Sequence, residues 1–175
     1  MTNDEYKLQA LKSEISLLHK IKSEHIVRFR DVFQTQRNYY IVMELCDGDL
    51  RKLIKKNQLF SENDAVGVMS QILKGFYHMI VFGYVHRDLK PENVLFKGET
   101  IKLSDFGLSK RFHNKKLLDT AVGTKSYQAP QILTNDKYTH KCDIWAFGLI
   151  FYEVNITQCS CSMALYPTAP SLSTV

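Results

Sequence analysis

The segment His86-Arg87-Asp88-Leu89-Lys90-Pro91-Glu92-Asn93 decides the interpretation of this 175-residue chain. It places a carboxylate, an ammonium group and an amide within one short loop. Such a set can orient a hydroxyl nucleophile, neutralise a transferring phosphoryl group and ligate a cation. A solvated polar loop would account for any one of these residues, but it would not account for all of them in this order.

A second carboxylate follows in Asp105-Phe106-Gly107, on a turn where the glycine can adopt backbone conformations closed to other residues. Two short apolar stretches, residues 94–96 and 101–103, flank Lys97-Gly98-Glu99 and predict a small β-hairpin. An isolated Asp-Phe-Gly arises by chance. Placed after the first segment, with a hairpin between them, it is strong evidence for the same chemistry.

The residues before these motifs predict a helix followed by two strands. Thr2 and Glu5 form the pattern of a capping box. Apolar residues then recur at helical spacing and predict an amphipathic helix: Leu8, Leu11, Ile15 and Leu18. Alternation over residues 27–33 and the apolar run at residues 39–43 predict two strands, with residues 34–38 as a polar hairpin connection.

Three further helices are predicted along the rest of the chain. A short one follows residues 46–49, and Ser61 with Asp64 opens a long one that ends at Gly83. One apolar face of the long helix is predicted from its spacing: Val66, Met69, Leu73, Phe76 and Ile80. The last predicted helix covers residues 143–154.

Composition and charge narrow the class of protein. Hydrophobic residues make up 45% of the chain, which is enough for the core of one domain. The net charge is +5, but basic and acidic residues are interleaved, which argues against a nucleic-acid partner. Four cysteines show no zinc or disulfide spacing: Cys46, Cys142, Cys159 and Cys161. With no secretory signal and no bilayer-length apolar stretch, we expect an intracellular, cytoplasmic protein with no membrane partner.

The two motifs resemble those of the eukaryotic protein kinase family, and the match covers about residues 8–153. The resemblance implies transfer of the γ-phosphoryl group of ATP to a protein substrate, with Mg²⁺ as cofactor. Lys90-Pro91-Glu92 is the serine/threonine form of the loop, so the implied acceptor is serine or threonine. Among kinases the chain is most similar to the calcium/calmodulin-dependent and autophagy-initiating groups, through Asp47-Gly48-Asp49-Leu50 and Gly123-Thr124.

The resemblance assigns roles to the residues of the two motifs. Asp88 resembles the catalytic base that accepts the proton of the substrate hydroxyl. Lys90 resembles the lysine that stabilises the transferring phosphate. Asn93 and Asp105 resemble the two magnesium ligands.

The resemblance also implies nucleotide-binding positions. Glu44 and Cys46 resemble the hinge that holds adenine through backbone hydrogen bonds, Asp49 resembles a ribose contact, and Leu95 is placed among the cofactor-binding residues. Glu14, on the first helix, resembles the regulatory-helix glutamate whose partner is a lysine on a preceding strand. The alternative for Glu14 is a solvent-facing helix carboxylate.

Regulatory features are implied in the same way. Residues 108–125 resemble an activation segment, and Gly123-Thr124 followed by Tyr127-Gln128-Ala129-Pro130 resembles its substrate-positioning end. Thr120 is the best-placed acceptor for an upstream kinase, with Arg87 as the partner of the phosphate. A regulatory column of stacked side chains is expected near Asp143: Leu18, Phe29, His86 and Phe106.

The chain departs from the family pattern at both ends. No glycine-rich loop or strand lysine precedes Glu14, and Gln131 stands where the family has a glutamate after Ala-Pro. Residues 154–175 carry no charge, and the resemblance stops near Glu153. We therefore expect very weak catalysis by this chain alone, because several preorganised phosphate donors are missing together.

The expected fold is α+β and kinase-like. It comprises an incomplete small lobe (residues 1–45), an incomplete and mainly helical large lobe (residues 46–153) and an irregular tail (residues 154–175). The predicted function is that of a serine/threonine protein kinase, in a fragment that is weakly active or inactive. The alternative is a noncatalytic, pseudokinase-like protein that acts by binding. The intact Asp88, Asn93 and Asp105 favour descent from an active enzyme.

Overall fold

The computed structural model describes residues 3–36, 38–56, 61–112 and 117–156. The described residues form helices and groups of short strands that pair antiparallel, which confirms the predicted α+β class. The helices are α1 (Asn3–Lys20), α2 (Leu50–Lys55), α3 (Glu62–Val81), α4 (Pro130–Leu133) and α5 (Lys141–Ile156). The strands are β1 (Phe29–Gln34), β2 (Tyr39–Met43), β3 (Gly48–Asp49), β4 (Tyr84–Val85), β5 (Val94–Lys97), β6 (Thr100–Leu103) and β7 (Lys110–Arg111). Two 3₁₀ turns lie at Pro91–Asn93 and Lys125–Tyr127.

The N-terminal part consists of α1 and the antiparallel hairpin β1–β2, as predicted. The predicted capping box at Thr2 lies outside the described residues. The predicted alternation along β1 is wrong, because a bulge between Phe29 and Asp31 inserts an extra residue and reverses the faces beyond it. Phe29 and Val32 are consequently half-buried, whereas Phe33 is 52% exposed.

The long helix α3 begins with the predicted capping box. The Ser61 hydroxyl accepts from the Asp64 amide, and the Asp64 carboxylate accepts from the Ser61 amide. The predicted apolar face is partly wrong, since Val66 and Leu73 are exposed. The buried face is rotated toward other positions: Ala65, Met69, Ile72, Gly75, Phe76 and Met79.

The hairpin β5–β6 packs on α3 and holds the two sequence motifs at its ends. It forms with β3 a three-stranded antiparallel sheet of order β3-β5-β6. The turn segment before β5 carries the residues from His86 to Asn93, and Asp105 follows β6. The two-residue strands β4 and β7 pair with each other and were not predicted. Both motifs therefore emerge from one small sheet.

The main core joins α1, α3, β5, β6 and α5. Leu18 and Phe106 are buried in it, Phe29 packs against it, and the rings of His86 and Phe106 lie 5.3 Å apart. All members of the predicted regulatory column are thus within or beside this core. A smaller core lies under the segment that follows Asp105-Phe106-Gly107: Val85, Leu118, Ala129, Ile132, Tyr138 and Cys142.

Helix α5 carries both buried and exposed apolar side chains. Ala146, Ile150 and Val154 are buried, whereas Ile144 and Trp145 are nearly half exposed. The helix continues to Ile156, so its last three residues fall within the segment predicted to be irregular. Among the described helices none is long and apolar enough to cross a membrane.

Two glycines of α3 provide a matched test of this packing. A Cβ on Gly75 would lie 2.6 Å from the carbonyl oxygen of His25 and 3.1 Å from the Leu103 side chain. We expect Gly75→Ala to lower the free energy of unfolding by about 1–3 kcal/mol. Gly67 is exposed with nothing within 4 Å of that point, so Gly67→Ala should raise it by about 0.5–1 kcal/mol. Urea unfolding followed by circular dichroism measures both, and equal effects would contradict the packing described.

Candidate active site

The loop that begins at His86 is held by a buried carboxylate on the first turn of α5. Asp143 is 2% exposed, and its two oxygens accept the backbone N–H groups of His86 at 2.7 Å and Arg87 at 2.8 Å. Burial raises the pKa of Asp143, while the hydrogen bonds from the backbone amides of His86 and Arg87 act in the opposite direction. Arg87 has φ of 70°, a left-handed conformation that costs energy in a residue other than glycine. The two hydrogen bonds oppose relaxation of this turn.

His86 is a packing residue in this arrangement. Its Nε2 lies 3.0 Å from the carbonyl oxygen of Ser104, and its Nδ1 lies 3.3 Å from the backbone nitrogen of Asp88. A carbonyl can only accept and a backbone N–H can only donate, so these partners assign the neutral ring with the proton on Nε2. His86 therefore orients the start of the loop, in agreement with the sequence interpretation that it is not a catalytic histidine.

The carboxylate of Asp88 is bonded on both oxygens. Oδ2 accepts from Lys90 Nζ at 2.8 Å, and Oδ1 accepts from the backbone N–H of Thr124 at 2.7 Å and from its hydroxyl at 2.8 Å. Lys90 also donates to the Thr124 hydroxyl at 2.9 Å. The structure thus brings together the predicted base, the predicted lysine and Thr124, which the resemblance placed at the substrate-positioning end of the activation segment.

The same contacts keep Asp88 ionised. Burial alone would raise the pKa of Asp88, but hydrogen bonds from Lys90 and Thr124 outweigh it and hold the pKa below its usual value. The group is therefore a carboxylate at neutral pH. It can accept a proton or a hydrogen bond from a hydroxyl.

Asn93 and Asp105 lie at neighbouring ends of the β5–β6 hairpin. Asn93 Nδ2 donates to the backbone oxygen of Asp88 at 2.9 Å, so its Oδ1 is the atom left to act as a ligand. Ser104, which precedes Asp105, donates its N–H to the Asn93 carbonyl at 2.9 Å. Asp105 is exposed with φ of 59°. These are oxygen donors of the kind that Mg²⁺ prefers, so this donor set fits that ion.

No protein cage for a metal is present in the described ranges. No group of three or more histidine, cysteine, aspartate or glutamate side chains there is arranged to hold a metal ion. Mg²⁺ usually keeps waters and phosphate oxygens among its ligands and takes only one or two from protein carboxylates. The pair formed by Asn93 and Asp105 is consistent with that coordination preference.

Glu14 faces the second motif rather than solvent. A Cβ placed on Gly107 would lie 3.7 Å from Glu14 Oε2 and 3.5 Å from Asp105 Oδ1. Both carboxylates are therefore close to Gly107. Burial, and then the charge of Asp105, raise the pKa of Glu14, while a hydrogen bond from the Phe106 amide lowers it. The alternative of a solvent-facing carboxylate is therefore wrong. No lysine or arginine among the described residues forms an ion pair with Glu14.

The side chain of Glu44, a predicted hinge residue, links two parts of the structure. Its carboxylate accepts from Lys102 Nζ at 3.0 Å, from Lys97 Nζ at 3.3 Å and from the Arg28 amide at 2.9 Å. Burial alone would raise the pKa of Glu44, but these hydrogen bonds outweigh it and lower the pKa. The sequence carried no signal for Lys102, because only the β5–β6 pairing turns it toward Glu44.

The other predicted nucleotide contacts lie on β3, on β5 and just before β3. Cys46 is half-buried, and Asp49 pairs with Leu95 across the β3–β5 ladder. The Asp49 carboxylate accepts the N–H of Lys52 at 2.9 Å and caps α2. Its roles as cap and as predicted ribose contact are compatible, because a carboxylate has several acceptor sites. The ribose contact stays a prediction.

A network missed by the sequence analysis anchors the predicted activation segment. Arg51 on α2 forms ion pairs with Glu92 at 2.8 Å and with Glu153 at 2.7 Å, and it also donates to the Tyr127 hydroxyl. Tyr127 in turn donates to Glu153. Sequence separations of up to 102 residues hide such a network from any local pattern.

Thr120, the predicted phosphoacceptor, lies in the same segment. The Tyr138 hydroxyl donates to the Thr120 carbonyl at 2.7 Å, and Arg87 Nη1 lies 3.5 Å from that hydroxyl. Arg87 Nε donates to the carbonyl of Leu108 at 2.7 Å. Thr120 itself is exposed. The predicted acceptor and its predicted arginine partner are therefore connected through Tyr138.

Replacing Asp88 with asparagine should flatten the acid limb of the stability profile. Because the folded pKa of Asp88 is lowered, its contribution to the free energy of unfolding is present above the unfolded pKa of about 4 and is lost as pH falls through the folded value. We expect the original chain to lose more stability than Asp88→Asn between about pH 5 and pH 2. Urea unfolding at a series of pH values measures this, and parallel profiles would show the expectation to be wrong.

Comparison with known proteins agrees with this geometry. A family model described as "Protein kinase domain" matches residues 1–164. The chain is 34% identical over 158 residues to serine/threonine-protein kinase 33 of Bos taurus, covering 83% of this chain and 32% of that protein. It is 38% identical over 150 residues to a probable myosin light chain kinase of Dictyostelium discoideum, covering 83% of this chain and 43% of that protein. The chain spans less than half the length of these curated relatives. It belongs to the protein kinase family.

Proposed function

We propose that this chain carries the catalytic centre of a serine/threonine protein kinase, which transfers the γ-phosphoryl group of ATP to a protein hydroxyl. The observation that supports the proposal is the carboxylate of Asp88, which is held ionised by hydrogen bonds from Lys90 and Thr124. The side-chain amide of Asn93 donates to the backbone oxygen of the same residue. The relatives named above are kinases by name. Transfer to serine or threonine is inferred from the Lys90-Pro91-Glu92 form of the loop.

The proposed reaction uses the contacts described. The substrate hydroxyl oxygen forms a bond to the γ-phosphorus, the bond from that phosphorus to the oxygen of ADP breaks, and the hydroxyl proton passes to Asp88. Lys90 Nζ lies 2.8 Å from Asp88 Oδ2 and supplies positive charge beside the transferring phosphate. Asn93 and Asp105 would hold Mg²⁺, which neutralises charge on the phosphates when bound.

The 175-residue chain alone is proposed to be a slow catalyst. Glu14 has no ion-pair partner among the described residues. The nucleotide phosphates would therefore be held by fewer preorganised donors than the proposed chemistry needs. The same observation on Glu14 favours a second candidate function, in which the chain binds a kinase or a substrate without catalysis.

Phosphotransfer to a generic protein substrate with ATP and Mg²⁺ separates the two candidates. We expect Asp88→Ala to lower the rate by about a hundred- to ten-thousandfold relative to the original chain. Asp136→Asn changes an exposed aspartate whose carboxylate accepts from the Thr134 hydroxyl, so it serves as the matched control and should retain the original rate. Equal rates for the original chain and Asp88→Ala would reject catalysis and favour the binding function.

We further propose that an upstream kinase phosphorylates Thr120. Thr120 is exposed and its hydroxyl donates to neighbouring Asp119 at 3.3 Å, so it is accessible. Arg87 lies within reach of the segment through Tyr138 and would pair with the added phosphate.

Mass spectrometry of the chain expressed in eukaryotic cells tests this modification. We expect phosphate on the peptide that contains Thr120 and its loss in Thr120→Val, which keeps the shape of the side chain. Thr134→Val removes another exposed hydroxyl and should leave that phosphate in place. Phosphate at other positions with none on Thr120 would contradict the proposal.

A further inference from the structure

Gln128 makes a contact that the proposed mechanism does not use. It stands at the end of the 3₁₀ turn Lys125–Tyr127, where its backbone N–H bonds to the carbonyl of Lys125. The turn directs its side chain back toward the preceding loop. There Nε2 donates to the carbonyl oxygens of Val122 at 2.9 Å and Gly123 at 3.0 Å. The amide has two protons on this nitrogen, so the two acceptors match the two donors.

One of these carbonyls belongs to the peptide group that contacts Asp88. The oxygen of Gly123 and the nitrogen of Thr124 are parts of a single planar peptide unit. The oxygen accepts from Gln128 at 3.0 Å, and the nitrogen donates to Asp88 Oδ1 at 2.7 Å. A continuous hydrogen-bond chain therefore runs from Gln128 through this peptide to the carboxylate. Bonds in such a chain polarise and strengthen one another.

Gly123 leaves this peptide group free to rotate. A residue with a side chain would restrict the rotation, but none can stand at this position. Its φ is 101°, and a Cβ at this position would lie 2.3 Å from the carbonyl oxygen of Arg87. Only glycine can therefore bring the backbone this close to the catalytic loop. Glycine is the residue that restrains its flanking peptides least. An external restraint on the peptide orientation is consequently needed, and Gln128 supplies it.

We infer that Gln128 is a positioning residue that orients the Gly123–Thr124 peptide so that its N–H donates to Asp88. The inference rests on the proposed function for its catalytic meaning, because Asp88 is the proposed base. Its structural content is independent of activity. Gln128 touches neither the substrate hydroxyl nor the phosphate in this scheme, and it acts only through the loop at residues 122–124.

Amide hydrogen exchange on the full chain, followed by NMR, tests the inference without requiring activity. Gln128→Met keeps the length of the side chain and removes both donors. We expect exchange at the Thr124 amide to become about tenfold faster or more, while the amides of His86 and Arg87, which bond to Asp143, keep their rates. An unchanged Thr124 rate, or an equal acceleration at all three amides, would overturn the inference.

Gln131→Met is the matched control. Gln131 is an exposed glutamine three positions along, and its replacement should leave exchange at Thr124 unchanged. The original chain offers a second measurement should Gln128→Met fail to fold. The side-chain amide protons of Gln128 should exchange about tenfold more slowly than those of Gln131. Equal rates would overturn the inference.

A kinetic arm connects the contact to catalysis. If Gln128 positions the base, Gln128→Met should lower kcat for phosphotransfer about tenfold and leave KM for ATP unchanged. A rise in KM with unchanged kcat would overturn the positioning role. Loss of the proposed function would show separately, as equal rates for the original chain and Asp88→Ala, and would leave the exchange result standing.

Discussion

Asp143 is the side chain on which the position of the proposed catalytic loop depends. It is buried at the start of α5 and accepts the backbone N–H groups of His86 and Arg87. Buried amides without acceptors would cost about 1–3 kcal/mol each, and the left-handed conformation at Arg87 adds about 1–2 kcal/mol. The helix therefore holds a turn that would otherwise relax. The proposed base follows directly, as the next residue after Arg87.

Beyond this anchor, the polar groups of the site satisfy one another. The carboxylate of Asp88 takes donors from Lys90, Thr124 and Asn93, so its charge is compensated although it is largely buried. Thr124 belongs to a segment that is itself fixed at Tyr127 and through Gln128. The geometry of the proposed base therefore depends both on the proposed catalytic loop and on a segment more than thirty residues away.

The sequence predicted what depends on local signals and missed what depends on distant partners. The capping box at Ser61 acts over three residues, so its pattern identified the start of α3. The buried face of that helix is decided by β6 and α5, which the spacing of apolar residues cannot locate, and Val66 and Leu73 were therefore misplaced. The motif residues were recognised by their order, whereas the pairing of Arg51 with Glu153 required the fold. The two-residue strands β4 and β7 are too short to leave a periodic signal.

The buried pair of Glu44 and Lys102 has a mechanical consequence. One carboxylate joins the β1–β2 hairpin, through the amide of Arg28, to the β5–β6 hairpin, through Lys97 and Lys102. The side chains of Glu44 and Lys102 are only 7% and 11% exposed, so dissolved ions screen their attraction weakly. The attraction that joins the two hairpins is therefore largely indifferent to ionic strength, and separating them would require water to enter and solvate both charges.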